Sequence, residues 1–403
     1  MKITTLRVRQ VTGTMPTEGP FWEERLLRPI DIYPDYRAEM PPWGGQQLDE
    51  HRFRLVQHFL EIETDEGITG LAGPVWPDVA RLALTQLAPI VVGKDPLATE
   101  LLWDQMHRLQ VHGRQGDPII ALSTVDCALW DLKGKALGQP IWRLLGGPTR
   151  TEVPAYASML GFAVEDLGLV RERAQEYREK GYTAQKWFFR HGPMSGHEGR
   201  KRNVALVRTL RETLGDGYDI MLDCWQSLNL DYAVELCSRI EDYRPRWLEE
   251  PFMPDRIDSH VKLKAKTRIP LSGAEHEYTR WGFLRFIEKD ALDIIQPDIY
   301  WCGGLSETLK ITALATTHDL IVIPHGHSTP LGIHYSAAQS PIHTPYQEYL
   351  VKWNEINMHF LKHPLRPDGG VIKIPQASGA NMELDPEKIE EETELTAAAG
   401  IFR

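Results

Sequence analysis

The sequence has few of the features that would place a protein outside the cytoplasm. Only four of its 403 residues are cysteine, and no two of them form a CxxC pair. Scattered cysteines are typical of a reduced compartment rather than of a disulfide framework, so we expect a cytoplasmic protein. No stretch of eighteen or more apolar residues occurs, which argues against a membrane-spanning helix.

Positive charge is also scarce. The sequence has 45 lysines and arginines against 56 aspartates and glutamates, which gives a formal net charge of −11 at pH 7. This balance argues against nucleic acid or an anionic membrane as a partner, because both require a basic face. An anionic small substrate is still allowed, since a bound metal ion can reverse the local field. We expect a small-molecule substrate and, separately, assembly into a homo-oligomer.

From about residue 150 onwards, short apolar runs alternate with helical segments. The eight runs are VPAYAS, AQKWFF, YDIMLDC, RWLEEP, IPLSGAE, LDIIQPD, LIVIPHG and YQEYL. Strands that alternate with helices predict parallel βα units that close into a barrel. The alternative is an open doubly wound sheet, which is less favoured because no Gly-rich phosphate loop follows the first run.

Residues 1 to about 130 have a different pattern, which predicts an α+β unit with a small antiparallel sheet. A strand is predicted over residues 2–11, and two more surround the turn in FRLVQHFLEIETDEGITGLAG. Between them lies a segment of about 13–50 that is rich in proline, glycine, arginine and aromatic residues. Loops of this length are usually functional or disordered, and the aromatic content argues against disorder. We predict an ordered loop or lid.

Chemically active side chains stand where the apolar runs of the second part end. They are Asp223, Glu249, Glu250, Glu275, Asp298, His325 and Glu348. From Asp223 to His325 the successive runs place such a residue every 23 to 27 positions, which is the length of one βα repeat. These side chains would therefore form a ring at the C-terminal ends of the strands, where βα barrels carry their active sites. Helix N-caps are the alternative, but consecutive strands ending in this way make that reading weaker.

Three converging carboxylates in a partly buried site cannot all stay ionised without a cation. Oxygen ligation by Asp223, Glu249 and Glu275 suits Mg²⁺. Zinc is disfavoured, because neither cysteine nor histidine stands at ligand spacing among these three and no HExxH motif occurs.

The stretch IPHGHSTP contains two histidines, His325 and His327. His325 stands one repeat after Asp298, whose carboxylate would orient the imidazole and raise its basicity. A dyad of this kind beside a metal suits the removal of a proton α to a carboxylate. His327 lies beyond the strand end, where it either contacts the substrate or orders the turn.

Seven motifs in order connect the chain with a known family. They are STVDCALWDLKGKALGQPIWRLLGG, MLDCW, WLEEP, SGAEHEY, QPDIYWCGGLSE, IPHGHS and LRPDGGVIKIP. This set resembles the enolase superfamily, and the histidine–aspartate dyad resembles its mandelate racemase-like subgroup. Within the subgroup the chain is most similar to the sugar-acid dehydratases, in particular to the L-rhamnonate dehydratase family.

The resemblance implies an α/β fold, a modified TIM barrel of the (β/α)₇β kind with an α+β capping domain. The capping domain would span residues 1–130 and include the lid, the barrel would span 131–370, and residues 371–403 would return to the cap.

The same resemblance implies roles for the strand-end residues. Asp223, Glu249 and Glu275 would bind Mg²⁺. His325 would take the C2 proton with support from Asp298. Glu348 would hydrogen-bond the substrate carboxylate or the enediolate.

One departure from the subgroup bears on the reaction. Many members have Lys-x-Lys at the end of the second strand, whereas this chain has Lys186 followed by Trp187 and Phe188. Racemisation needs a base on each face of the substrate, whereas dehydration needs only one. We therefore expect a Mg²⁺-dependent aldonate dehydratase that forms a 2-keto-3-deoxy acid. The alternatives are an epimerase, racemase or cycloisomerase using the same enediolate and, as a different class, a non-catalytic barrel protein.

Several further residues are candidates for substrate binding, namely Lys186, His276, His327, Trp22, Arg25 and Tyr33. Lys186 either contacts the substrate or the metal-bound carboxylate, or it only pairs with a neighbouring acid. The sequence leaves open which sugar acid is used, with L-rhamnonate, L-lyxonate and L-mannonate among the possibilities.

Overall fold

The computed structural model describes residues 1–37 and 44–395, and part of the predicted lid lies outside these ranges. The N-terminal unit contains an antiparallel sheet and five helices. Its strands are β1 (Ile3–Pro16), β2 (Gln46–Asp49), β3 (Arg52–Thr64) and β4 (Thr69–Val75). Its helices are α1 (Pro77–Leu82), α2 (Ala88–Val91), α3 (Thr99–Leu109), α4 (Asp117–Ala136) and α5 (Ile141–Leu144). The first strand is longer than predicted, because its pairing with β3 and the burial of Val11, Gly13 and Met15 on one face continue to its end.

The second sheet consists of eight parallel strands, one for each predicted run. They are β5 (Glu152–Ser158), β6 (Ala184–Phe188), β7 (Asp219–Asp223), β8 (Trp247–Glu249), β9 (Leu271–Gly273), β10 (Ile294–Ile295), β11 (Ile321–Val322) and β12 (Gln347–Leu350). The connecting helices are α6 (Leu167–Glu179), α7 (Gly196–Leu214), α8 (Leu230–Ile240), α9 (Ile257–Lys264), α10 (Thr279–Glu288), α11 (Gly304–Thr316) and α12 (Thr329–Ala338), and α13 (Val351–Asn357) follows the last strand.

The spatial order of these strands is β11-β10-β9-β8-β7-β6-β5-β12, so the last strand lies beside the first. The sheet therefore curls into a barrel-like shape, and the predicted α/β architecture with a separate antiparallel cap is confirmed. Within the described residues no strand ladder joins β11 to β12. There, Val322 donates its backbone N–H to the carbonyl of His343, just before β12, at 2.8 Å.

Alternation along the strands places two layers of side chains inside the curled sheet. The lower layer is an apolar cluster of Tyr156, Ala184, Met221, Trp247, Ile294 and Ile323. Two residues further along four of these strands come Lys186, Asp223, Glu249 and His325. Since side chains on a strand repeat their direction every two residues, the polar set lies directly above the apolar one, at the C-terminal ends.

The C-terminal segment contacts both units. Strand β13 (Val371–Lys373) pairs antiparallel with β5, and β14 (Glu391–Leu395) pairs with β1 of the cap sheet. The domain boundaries near residues 130 and 370 remain predictions. None of the helices in the described ranges combines the length and hydropathy needed to cross a bilayer.

Asp131 joins these parts from the middle of the buried helix α4. Its carboxylate accepts hydrogen bonds from the backbone N–H of Leu71 at 2.8 Å and of Ala380 at 2.7 Å, and it pairs with Lys135 at 2.5 Å. Leu71 belongs to the cap sheet and Ala380 to the C-terminal segment, so one fully buried side chain connects three elements.

We expect Asp131→Ala to lower the free energy of unfolding by about 3 kcal/mol, because two buried backbone N–H groups lose their acceptor. Urea unfolding followed by circular dichroism measures the change. Asp104→Ala is the control, since Asp104 is exposed and pairs only with the exposed Arg108. Equal unfolding midpoints for the two variants would show that Asp131 does not hold the elements together.

Candidate active site

Lys186 lies at the centre of the polar layer and is almost completely buried. Its ammonium contacts Glu249 directly and lies 2.7 Å from Glu348 Oε1 and 3.3 Å from Asp223 Oδ2. Burial alone lowers the pKa of Lys186, but the three carboxylates outweigh it and raise the pKa well above its ordinary value. The ammonium therefore stays charged. Of the two roles predicted for Lys186, the structure shows the ion pairs with neighbouring acids.

Two of the predicted metal ligands contact this lysine. Burial raises the pKa of Glu249 to about 7 and also raises the pKa of Asp223. Burial likewise raises the pKa of the third predicted ligand, Glu275, well above its usual range. The positive charge around these carboxylates does not balance their negative charge. A divalent cation bound by oxygen ligands would keep them ionised. The donor set therefore fits Mg²⁺.

A second group of possible ligands overlaps the predicted one. Glu250, Glu275 and His276 each offer one ligand atom, and these atoms all lie within 4.8 Å of one another. His276 Nδ1 lies 2.9 Å from Glu250 Oε2, which also accepts a hydrogen bond from Gln226 at 3.1 Å. The sequence predicted Glu249, the last residue of β8, as the ligand, whereas Glu250 directly follows that strand.

The backbone explains why these neighbouring glutamates point to different partners. Glu250 has a φ of 40°, a left-handed conformation that residues other than glycine seldom adopt. Glu249 stays in the strand direction, and its Oε2 accepts hydrogen bonds from Trp247 Nε1 at 2.9 Å and Gln296 Nε2 at 2.8 Å.

The structure brings the predicted dyad together. His325 Nδ1 lies 2.7 Å from Asp298 Oδ2, and the other carboxylate oxygen accepts the backbone N–H of Tyr300 at 2.7 Å. His325 Nε2 lies 3.6 Å from Glu275 Oε2, so this nitrogen faces the acidic cluster. Burial lowers the pKa of His325, but Glu275, the bond with Asp298 and Glu348 outweigh it and raise the pKa to about 10.

Glu348 is the second residue of β12. Its Oε2 accepts the backbone N–H of Gly326 at 2.9 Å, which fixes the loop directly after the base. Burial opposes ionisation of Glu348, but Lys186 and His325 together lower its pKa. The predicted substrate-binding carboxylate is therefore held in its charged form.

Two tryptophans border the dyad. The Trp301 ring, which follows β10, lies 4.9 Å from the His325 ring, 5.2 Å from His327 and 5.4 Å from His276 between centroids. Trp76 of the cap lies 5.7 Å from Trp301. Sequence reasoning did not identify either one. Trp301 stands inside the motif QPDIYWCGGLSE, whereas nothing in the local sequence distinguishes Trp76 from a surface residue.

The three lid residues predicted to bind substrate are placed differently. Arg25 is buried in an ion pair with Asp31 of the lid itself, at 2.5 Å. The Trp22 ring packs 5.1 Å from that of Trp353, and Tyr33 is 57% exposed. In the structure these three side chains therefore pack with the lid or lie at the surface. They take no part in the contacts described above for the carboxylates.

The lid is attached to the ends of four neighbouring strands. Lys352, after β12, donates to the carbonyls of Phe21 at 2.6 Å and Gly161 at 3.1 Å. Leu27 N–H donates to the Phe189 carbonyl at 2.9 Å, and Ser227 Oγ donates to the Leu27 carbonyl at 3.2 Å. The loops that receive the lid thus follow β12, β5, β6 and β7.

Comparison with known proteins agrees with this arrangement. Residues 51–146 match the mandelate racemase / muconate lactonizing enzyme N-terminal domain, and residues 169–388 match the enolase C-terminal domain-like family. L-Rhamnonate dehydratase of Saccharopolyspora erythraea is 33% identical over 96% of this chain and 97% of its own length.

Solved structures are similar over nearly the whole chain. L-Rhamnonate dehydratase from Gibberella zeae has a TM-score of 0.83 at 31% identity, covering 96% of this chain and 94% of that chain. The rhamnonate dehydratase from Gibberella zeae complexed with Mg has a TM-score of 0.82 at 30% identity, over 96% and 95%. The 3,6-anhydro-D-galactonate cycloisomerase from Zobellia galactanivorans has a TM-score of 0.79 at 26% identity, over 97% and 100%.

The family matches cover both units, and the identity to the curated relative extends across their boundary. The chain therefore belongs to the mandelate racemase and muconate lactonizing enzyme family of the enolase superfamily.

Proposed function

We propose that the protein is a Mg²⁺-dependent sugar-acid dehydratase that converts an aldonate into a 2-keto-3-deoxy acid. The observation that carries the proposal is the dyad of His325 and Asp298, whose free nitrogen faces a cluster of buried carboxylates. The similarity to L-rhamnonate dehydratases over nearly the full chain supports it.

In this proposal Asp223, Glu249 and Glu275 hold the metal ion. When bound, Mg²⁺ would offset the negative charge that develops on the substrate carboxylate after loss of the C2 proton. Lys186 and Glu348 lie beside these ligands, where an ammonium can pair with the substrate carboxylate and Glu348 can accept a hydrogen bond.

His325 carries out both proton transfers. Asp298 accepts a hydrogen bond from Nδ1–H of His325. A cation bound by Glu275 would offset the charge that most strongly raises the pKa of His325, and Nε2 would then have a free electron pair to take the C2 proton of the substrate. The resulting imidazolium returns that proton to the C3 hydroxyl on the same face, so that the C3–O bond breaks and water leaves. The enol product then tautomerises to the 2-keto-3-deoxy acid, and no second base is needed.

The runner-up is an epimerase, racemase or cycloisomerase, which the similarity to the Zobellia cycloisomerase supports. Epimerisation and racemisation require a second base, and Lys186 is the nearest candidate. Its ammonium is held by ion pairs with three carboxylates, so it is engaged with these acids rather than free to exchange a proton with C2.

Three further properties complete the proposal, namely the compartment, the oligomeric state and the substrate. We infer a cytoplasmic homo-oligomer acting on one of several aldonates, among which L-rhamnonate is the compound named for the relatives. Screening aldonic and aldaric acids with Mg²⁺ for 2-keto-3-deoxy products identifies the substrate, and light scattering measures the oligomer.

We expect His325→Asn to reduce the kcat for keto-acid formation by about 10³-fold or more, because a single residue performs both proton transfers. A colorimetric assay for 2-keto-3-deoxy acids measures the rate. His318→Asn, in the exposed turn after α11, is the control and should keep full activity. Full turnover by the His325 variant would remove this residue from the mechanism.

We expect Asp223→Asn and Glu275→Gln each to weaken Mg²⁺ binding by at least about 10-fold, measured by isothermal titration calorimetry without substrate. The pair Glu249→Gln and Glu250→Gln decides between the two overlapping ligand groups. If Glu249 is the ligand, its variant loses affinity and the Glu250 variant changes little. The reverse result would replace Glu249 by Glu250 in the proposed metal site.

In D₂O we expect keto acid to form faster than deuterium enters C2 of the recovered substrate. The reason is that His325 passes the C2 proton on to the leaving hydroxyl. Proton NMR of the reaction mixture measures both processes. Deuterium at C2 with no keto acid formed would favour the epimerase or racemase alternative.

A further inference from the structure

The tryptophans beside the dyad form a continuous surface that we call the aromatic wall, defined by Trp76 and Trp301. We propose that this wall binds the distal C5–C6 end of the substrate and thereby selects sugar acids with an uncharged end over those with a second carboxylate. This inference rests on the proposed function and adds the substrate class to it.

The position of Trp301 connects the wall to the reaction. Its ring is 8% exposed and contacts the rings of His325 and His276, which face the acidic cluster. The carbon chain of a substrate whose C2 atom lies at His325 Nε2 therefore starts beside this indole. Among the ring contacts of the described residues, no other aromatic side chain lies beside both of these histidines.

Trp76 continues the same surface outward from the cap. Its ring is tilted by 34° to that of Trp301 and lies nearly parallel to His327, at 23° and 6.2 Å. Although these rings cover one side, Trp76 remains 48% exposed. The Trp76 indole thus packs on other rings with one face and exposes the other to solvent. An apolar face of a ligand that covered the exposed face would remove apolar surface from water, which is favourable.

The lid and the wall occupy opposite sides of the site. The lid is attached to loops after β12, β5, β6 and β7, whereas Trp76 covers the loops after β10 and β11. The acidic end of the substrate is bound near Lys186, which belongs to the lid side. The rest of the carbon chain then passes His325 and reaches the wall.

Charge explains the expected selectivity. Indole rings carry no net charge, and burial lowers the pKa of His327 to about 4, so this imidazole is neutral at neutral pH. Asp298 Oδ2 lies only 3.8 Å from His327 Nδ1. A second carboxylate that reached Trp76 and His327 would meet two uncharged rings with the Asp298 carboxylate close behind them, whereas C–H groups would meet the electron-rich ring faces.

Three substrates of identical configuration at C2 to C5 test the proposal. They end in a methyl group, a hydroxymethyl group or a carboxylate at C6. We expect kcat/KM to be highest for the methyl compound and lowest for the dicarboxylate. In Trp76→Ala the value for the methyl compound should fall about tenfold, mainly through KM, while Trp76→Phe should retain most of it.

Trp281→Ala is the matched control, because Trp281 is a similarly exposed tryptophan, at 52%, that stacks on His107 of α3. It should leave all three values unchanged. An unchanged substrate order in Trp76→Ala, or an equal loss in Trp281→Ala, would overturn the proposal.

Binding without turnover separates this inference from the proposed function. Saturation-transfer NMR on the C6 methyl group is measured with His325→Asn protein, with and without the Trp76 substitution. Loss of the methyl signal only when Trp76 is replaced supports the wall even if no dehydration occurs. A methyl signal that is absent from both proteins, or equal in both, overturns it.

Discussion

The burial of like charges at one end of the curled sheet is the constraint on which the structure depends. Asp223 and Glu249 end two of the strands, Glu348 lies within a third, and all three converge in a region from which water is largely excluded. Such a group is unstable without positive charge, because burial disfavours each ionised carboxylate and the others add repulsion. Lys186 on β6 supplies one such charge. The three carboxylates raise its pKa, so the ammonium stays charged among them.

The cap and the lid follow from the same constraint. Electrostatic interactions between the dyad, the carboxylates and a bound ion are strong only if bulk water stays out. The lid accordingly engages the loops after four neighbouring strands, and Arg25 and Asp31 hold its backbone in shape. On the other side Trp76 extends from the cap over Trp301 and His327. The two covers leave a site with a charged half and an aromatic half, which matches a sugar acid with one ionised end.

Much of the fold and of the site could be predicted, because both depend on repeats along the chain. Eight apolar runs predicted eight strands, and the chemically active residues of the last six runs, from Asp223 to Glu348, predicted that these residues would meet. Asp298 and His325 illustrate the point, since neighbouring parallel strands bring residues one repeat apart into contact. The lid side chains were harder. Arg25 looked available for a substrate because arginine often binds carboxylates, but Asp31, six residues later, occupies its guanidinium.

The sequence by itself therefore determined the strand order, the ring of acids and the dyad, since each follows from spacing and from the alternation of side chains on a strand. Tertiary structure decided what spacing does not encode. Lys186 is placed among three acids from three other strands, Glu250 turns away from Glu249 through a left-handed backbone, and Trp76 reaches Trp301 from a different domain. The curling of the sheet places Lys186 among its acids, the local backbone turns Glu250, and the packing of the cap on the barrel brings the two tryptophans together.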